Sequence, residues 1–257
     1  MKALHRAAYL LSVLATGATL GGCATTPAAG RWSDDPLEPL NRVVLDANTT
    51  LDKAFIKPIA EAYRRFVPQY VRDRIRAVID NLAEPRIFVN DLLQGRGRAA
   101  DITLNRFIIN TVVGVVGLFD VGSEKGYPKQ SGDFGQTLYV WGAGHGPYLV
   151  LLFFGPSNLR DAVGLGVDLF STPPGVFVPG HAGVVTGLVV GTVDGMDLRS
   201  RNIETLDDIM ATSLDYYSHL KSIVEQRREA ELREGRGESP QPPELTDPVL
   251  SPAGSQR

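Results

Sequence analysis

Phe134–Leu159, FGQTLYVWGAGHGPYLVLLFFGPSNL, carries no formal charge when His145 is neutral, and the rest of the chain is organised around it. A spanning helix needs roughly 20 apolar residues, so length alone suggests a membrane span. One straight helix is excluded. Gly142, Gly144, Gly146, Pro147, Gly155 and Pro156 interrupt the stretch, and both residue types disfavour helix interiors. Irregular backbone persists at membrane depth only where protein covers it or where it lines a cavity. The stretch is therefore buried, bent and apolar. It is either the deep core of a globular domain or part of a protein seated in a bilayer without crossing it as a simple helix.

Residues 1–22 have the layout of a bacterial secretory signal. Lys2 and Arg6 form the positive end, and Ala7–Leu20 is an apolar segment too short to be a good stop-transfer helix. It runs into Leu20-Gly21-Gly22-Cys23, which resembles the lipobox whose cysteine is acylated and begins the mature chain. Cys23 is the only cysteine, so an internal disulfide is excluded and the thiol needs another use. Two or more acyl chains hold a protein to a membrane durably. By analogy with lipoprotein sorting, Ala24 after the cysteine favours the outer membrane.

Without Lys2 and Arg6, 24 basic face 29 acidic residues. That balance argues against nucleic-acid binding, which needs a basic surface. Residues 23–33 read as a lipidated tether and residues 233–257 as a disordered tail rich in Pro, Glu, Ser and Gly. Residues 34–232 are long enough for one domain with a real core.

Helical periodicity dominates that domain. Leu40, Val44, Ala47, Leu51, Phe55, Ile59 and Tyr63 share one face, with a kink or split expected at Pro58. Val71, Ile75, Val78, Ile79 and Leu82 predict a second helix ending before Pro85, and Ile87–Leu93 a short third. Ala99–Val113 is a fourth. Ile203–Arg233 reads as one long last helix, capped by Asn202 or Ser200. Strand signals are weak: Gln136–Val140 and Tyr148–Phe154 could pair as a hairpin across Gly142–Gly146. The fold class is mainly α with at most this small hairpin.

Two further features bear on function. Gly183, Gly187, Gly191 and Gly195 recur every fourth residue, which suits close backbone approach beside lipid or a tight core helix equally well. Lys53, Lys57, Arg64, Arg65, Arg72, Arg74 and Arg76 outnumber Asp52, Glu61 and Asp73 in the first two helices. Such a stripe suits an anionic headgroup layer or is simply a solvated face. Catalytic signatures are missing: the chain has no G-x-S-x-G, H-E-x-x-H or phosphate-loop motif, its histidines stand singly, and no metal cluster is evident. No cofactor and no enzymatic activity are expected.

In order along the chain stand Asp35-Pro36-Leu37-Glu38-Pro39-Leu40-Asn41-Arg42, Asn81-Leu82-x-Glu84-Pro85 and Phe88-Val89-Asn90-Asp91-Leu92-Leu93-Gln94-Gly95. Arg106–Thr111, Gly117–Asp120, Asp133-Phe134-Gly135-Gln136-Thr137-Leu138 and Trp141–Tyr148 follow, then Gly155-Pro156-Ser157-x-Leu159-Arg160-Asp161, Leu214–Tyr217 and Gln226–Arg228. Together these blocks resemble the MlaA/VacJ family of outer-membrane lipoproteins. Two departures are Leu152, where the family usually has proline, which is expected to straighten the segment locally, and Gly132, where an acid is usual.

The resemblance implies a ring-like, mainly helical domain embedded in the inner leaflet of the outer membrane. It implies an amphipathic channel that takes misplaced phospholipid from the outer leaflet, with a trimeric porin and a periplasmic lipid carrier of the Mla type as partners. Gly142, Gly144, Gly146, Gly183, Gly187, Gly191, Arg64 and Arg65 are the residues expected along the lipid path. The alternatives are a structural lipoprotein that braces a porin without moving lipid, and a lipid-processing enzyme.

Overall fold

A computed structural model describes residues 35–171 and 181–236. The signal, Cys23, the tether, most of the C-terminal tail and Pro173, Pro174 and Pro179 lie outside the described residues. The chain divides after Asp35, and the elements below belong to the unit that begins at Pro36.

Helix α1, Glu38–Leu51, starts with proline in its first turn, where a missing N–H costs nothing. A π-helical turn, Asp52–Ile56, leads into α2, Lys57–Phe66. The split expected at Pro58 is thus a widened turn just ahead of the proline: the Lys57 N–H donates to the Asp52 carbonyl five residues back.

Helix α3, Gln69–Leu93, runs unbroken through Pro85, so the two helices expected there are one. A helix-interior proline costs about 3 kcal/mol or more. Side chains on both sides of it are anchored across to other elements. Asn81 donates to Thr111 at 3.0 Å, Arg106 to Glu84 at 2.9 Å, and Thr137 to Asn90 at 2.8 Å. Thr111 and Arg106 come from α4, Gly97–Val112, which packs along α3.

A short α5, Val121–Glu124, and α6, Phe134–Val140, each begin at an aspartate whose side chain accepts from the third residue on: Asp120 from Ser123 N and Asp133 from Gln136 N. The segment read as a strand at Gln136–Val140 is therefore helical. The hairpin lies later: β1, Tyr148–Leu151, pairs antiparallel with β2, Gly155–Asn158. Its turn is Leu152–Phe154, not Gly142–Gly146, so Leu152 sits in a reversal instead of straightening the chain. Gly132, the other departure, packs against α3: a Cβ there would lie 3.1 Å from Ile87 Cγ2 and 3.5 Å from the buried Asp91 carboxylate.

Helices α7, Leu159–Ser171, and α8, His181–Arg201, follow. The long last helix is two, α9, Ile203–Thr212, and α10, Tyr216–Gly235. Ser213 is extended between them, and Asp215 opens α10 by accepting from Tyr217 N and the Ser218 hydroxyl. Neither Asn202 nor Ser200 caps α9. Their side chains donate back to Leu198 and Asp197 carbonyls.

Burial is inverted relative to a water-soluble domain. The largest fully buried side chains are Arg106, Glu84, Asn41, Thr103, Thr137, Asp91, Asp197 and Ser200, all polar. The apolar cluster is small: Leu45, Tyr148, Val150 and Tyr217. Meanwhile Phe55, Phe66, Val112, Val116, Phe153, Val163, Val185 and many more large apolar residues are exposed. Among the described residues, no helix is long and apolar enough to cross a membrane.

Candidate functional site

One cavity, of about 280 Å³, opens where α3, α6, α7, α10 and the hairpin meet. Its lining is mixed in chemistry: Arg86, Asp133, Asp161, Asp168 and Arg228 are charged, while Leu151, Phe154, Pro156 and Leu165 are apolar.

The charged lining comes from α3, α7, α10 and the residue that caps α6. Arg228 of α10 forks onto two carboxylates at once. Its Nη1 and Nη2 donate to Asp133 at 2.8 Å, and its Nε and Nη2 donate to Asp161 at 2.9 Å. Burial disfavours the charge on Arg228, but the two carboxylates outweigh it and raise its pKa. Burial likewise opposes ionisation of Asp161, yet the hydrogen bonds from Arg228 and Arg160 hold that carboxyl below its usual range. Asp168 differs. Burial pushes its pKa up against the pull of Arg86, 3.1 Å away. It also accepts from Phe134 N at 3.0 Å and Asn90 Nδ2 at 3.3 Å. Arg86 Nε is buried and without a hydrogen-bond partner.

Two glycines allow α6 and α7 to bring these groups together. A Cβ on Gly164 would overlap the Gly135 backbone nitrogen and lie 2.7 Å from its Cα. A Cβ on Gly135 would lie 2.5 Å from Asp161 Oδ1 and 2.9 Å from Arg228 Nη2. Beneath the cavity, Asn90, Thr137 and Gln94 form a buried hydrogen-bonded row.

The family model described as MlaA lipoprotein matches residues 33–231. The chain belongs to the MlaA lipoprotein family. It is 33% identical over 226 residues to the Escherichia coli (strain K12) protein named "Intermembrane phospholipid transport system lipoprotein MlaA", covering 85% of this chain and 87% of the relative. The Haemophilus influenzae protein of the same name is 29% identical over 234 residues, covering 88% and 91%. A solved structure described as "Structural basis for maintenance of bacterial outer membrane lipid asymmetry" is similar with a TM-score of 0.66 and 31% identity, covering 77% of this chain and 99% of that one.

The MlaA-like motif residues fall into three groups. Asn90, Phe134, Gly135, Arg160 and Asp161 line or support the cavity. Glu84 and Asp91 lie in the α3–α4 contact, with Pro85 next to Glu84 in α3; there Glu84 accepts from Arg106 and Asp91 accepts from Thr103, both at 2.9 Å. Burial raises the pKa of both acids. Pro36, Glu38, Pro39, Asn41 and Arg42 belong to the start of α1. There Asn41 donates to the Tyr148 carbonyl and accepts from Val150 N, fixing β1. Arg42 pairs with Glu38 and Asp215.

The residues expected along a lipid path do not line this cavity. Gly142 and Gly144 are exposed with nothing within 4 Å of a Cβ, while Gly146 packs on Leu159. On α8, Gly183 is buried and Gly187 half-buried; Gly191 and Gly195 face open space. Among the described residues the glycine repeat is therefore not a continuous ridge packed on another helix. Arg64 pairs with Glu204 at 2.6 Å and Arg65 lies 5.7 Å over Phe66. Reading by sequence missed Arg86, Asp168 and Arg228 as cavity residues. One signal for them existed: Asp168 is the only charge between Asp161 and Asp194, and a lone carboxylate in so apolar a run needs a buried partner.

Proposed function

We propose that this chain is an outer-membrane lipoprotein, held through acylated Cys23, whose ring-like domain of residues 34–232 sits in the inner leaflet. In this reading it retrieves phospholipid from the outer leaflet and passes it to a periplasmic carrier of the Mla type, working beside a trimeric porin. Retrieval maintains the lipid asymmetry of the outer membrane and needs no covalent step on the lipid.

The observation that carries the reading is the inverted burial around a cavity lined by both charged and apolar side chains. Exposed apolar side chains are stable against acyl chains and costly against water. A polar interior is what a headgroup needs to move through an otherwise apolar layer. The cavity volume suits a headgroup, with acyl tails lying along Leu151, Phe154 and Leu165. Arg86 lines the cavity and pairs with one carboxylate, Asp168, so it is the cation better placed to meet a phosphate; Arg228 is already held by two carboxylates. The names of the relatives point to the same process.

Deletion should raise outer-leaflet phospholipid and sensitivity to detergent, and the wild-type chain should reverse both. Arg86→Gln should reverse them only in part at a normal membrane level. Full rescue by Arg86→Gln would favour a brace that does not move lipid. Unchanged surface phospholipid in a clean deletion refutes retrieval, and lysophospholipid released by the purified protein would mark an enzyme instead.

A further inference from the structure

The basic stripe of α2 and α3 is divided in two. Lys57 pairs with Asp207 at 2.7 Å, Arg64 with Glu204 at 2.6 Å, and Arg76 with Asp197 at 2.8 Å. Arg65, Arg72 and Arg74 have no carboxylate partner among the described residues. All three flank the corner at Pro68 between α2 and α3.

That corner meets the loop after α4 through Arg74. Its Nη1 donates to the Leu118 carbonyl at 3.0 Å. Its guanidinium lies 5.0 Å over Tyr70 and 4.9 Å over Phe119. Both parts expose apolar side chains: at the end of α4 and in the loop tip Val112 is 75% exposed and Val116 66%, and at the corner Phe66 is 76% exposed.

The tip is also strained. Val115 and Val116 have φ of 55° and 58°, a left-handed conformation that β-branched residues avoid. Such strain persists only where the surroundings impose it. Here Val116 N is tied to the Thr111 carbonyl, Gly117 N to Asn110, and Phe119 N to Gly114. Gly117 sits so close over Asn81 that a Cβ would come within 2.5 Å of the Asn81 Cβ. The framework thus forces two valines outward. In water that arrangement combines strain with exposed apolar surface; against acyl chains the exposure becomes burial.

We infer that this corner docks on anionic phospholipid: the valine tip enters the acyl region, Phe66, Tyr70 and Phe119 lie at the interface, and Arg65, Arg72 and Arg74 meet the phosphates. Charge complementarity selects the occupant, because unneutralised arginines interleaved with aromatic rings match a negative headgroup layer. The inference rests on the membrane seat proposed above and adds where its headgroup plane lies and which lipid holds it.

The test uses the acylated full chain with Val116→Cys, labelled with an environment-sensitive fluorophore, in phosphatidylcholine vesicles with and without phosphatidylglycerol. The expected result is blue-shifted emission, quenched by acyl-chain nitroxides, while the same label at exposed Arg227→Cys stays water-like. Nitroxide-headgroup phosphatidylglycerol should quench more than its phosphatidylcholine counterpart, because each basic residue near an anionic surface binds it about fivefold more strongly. Arg65→Gln with Arg72→Gln should weaken that preference sharply, leaving only the part owed to Arg74, and should leave the depth unchanged. Water-like emission at residue 116, an unchanged lipid preference in the double variant, or shielding that appears only when a porin is added would each overturn the proposal. The readout is location alone, so loss of the retrieval reading leaves it standing.

Discussion

Arg228→Met removes the clasp that ties α10 to α6 and α7. In the wild type one guanidinium, with its side chain 18% exposed, satisfies Asp133 and Asp161 through four donor contacts of 2.8–2.9 Å. Methionine fills a similar volume but leaves both carboxylates behind. Asp161 keeps Arg160; Asp133 keeps only the α6 backbone. Breaking a buried pair by removing one partner costs about 3–5 kcal/mol, against about 0–1 kcal/mol for a surface pair. With a urea slope of about 2 kcal/mol per molar, the midpoint should fall by about 1.5–2.5 M. Circular dichroism of the detergent-solubilised protein would read this. Arg228→Lys should recover less than half, since one ammonium cannot grip two carboxylates bidentately. Adding Asp133→Asn to Arg228→Met should restore part of the loss by removing a stranded charge. A midpoint shift below about 0.5 M would correspond to a surface pair and would refute the clasp.

Neighbouring glycines of α7 should respond with opposite signs. Gly164→Ala drives a methyl into the Gly135 backbone and should cost about 1–3 kcal/mol or more, whereas Gly166→Ala, with nothing within 4 Å, should gain up to about 1 kcal/mol of helix propensity; equal urea midpoints would deny the helix crossing. The raised pKa of Asp168 gives a pH signature. The folded state binds that proton more tightly than the unfolded state, so its contribution is present below the unfolded value of about 3.9 and is lost as pH rises through the folded one. Asp168→Asn should therefore flatten the stability–pH profile just above pH 4 relative to wild type, and an identical slope in both proteins would deny the burial of its charge.

The helices were legible because their signals are local. Periodic apolar positions place α4 and the start of α1 within a few residues, and the likeness to MlaA-type lipoproteins was readable from short ordered blocks. What escaped depends on distant partners. The hairpin was expected at Gly142–Gly146 because glycine suits reversals. The actual turn contains Phe153 at φ 68°, a poor turn residue. Asn48 holds it, accepting from Phe153 N and donating to the Leu151 carbonyl, both at 2.9 Å. No local rule links positions so far apart. Pro85 was read as a helix end for the same reason, since the bonds that carry α3 through it come from α4. The cavity was harder still. Arg228 stands in a segment that reads as an ordinary charged helix, and only the fold brings it to Asp133 and Asp161.

The buried charges are the part of this fold that stability alone does not explain. A buried ion pair replaced by apolar side chains of similar volume is often no less stable, and sometimes more so. This chain has apolar residues in plenty and keeps them on its surface, while Glu84 and Arg106 are fully buried. A fold selected for stability in water would exchange the two sets. Exposed apolar side chains gain from an apolar covering. The seat proposed above would provide it: acyl chains would cover the exterior and headgroups would meet the charged lining of the cavity. On that proposal the short, bent apolar stretches also have a use. A helix that crossed the layer would satisfy the chains but offer no polar surface at depth, whereas broken segments leave room for Arg86, Asp168 and the Arg228 clasp.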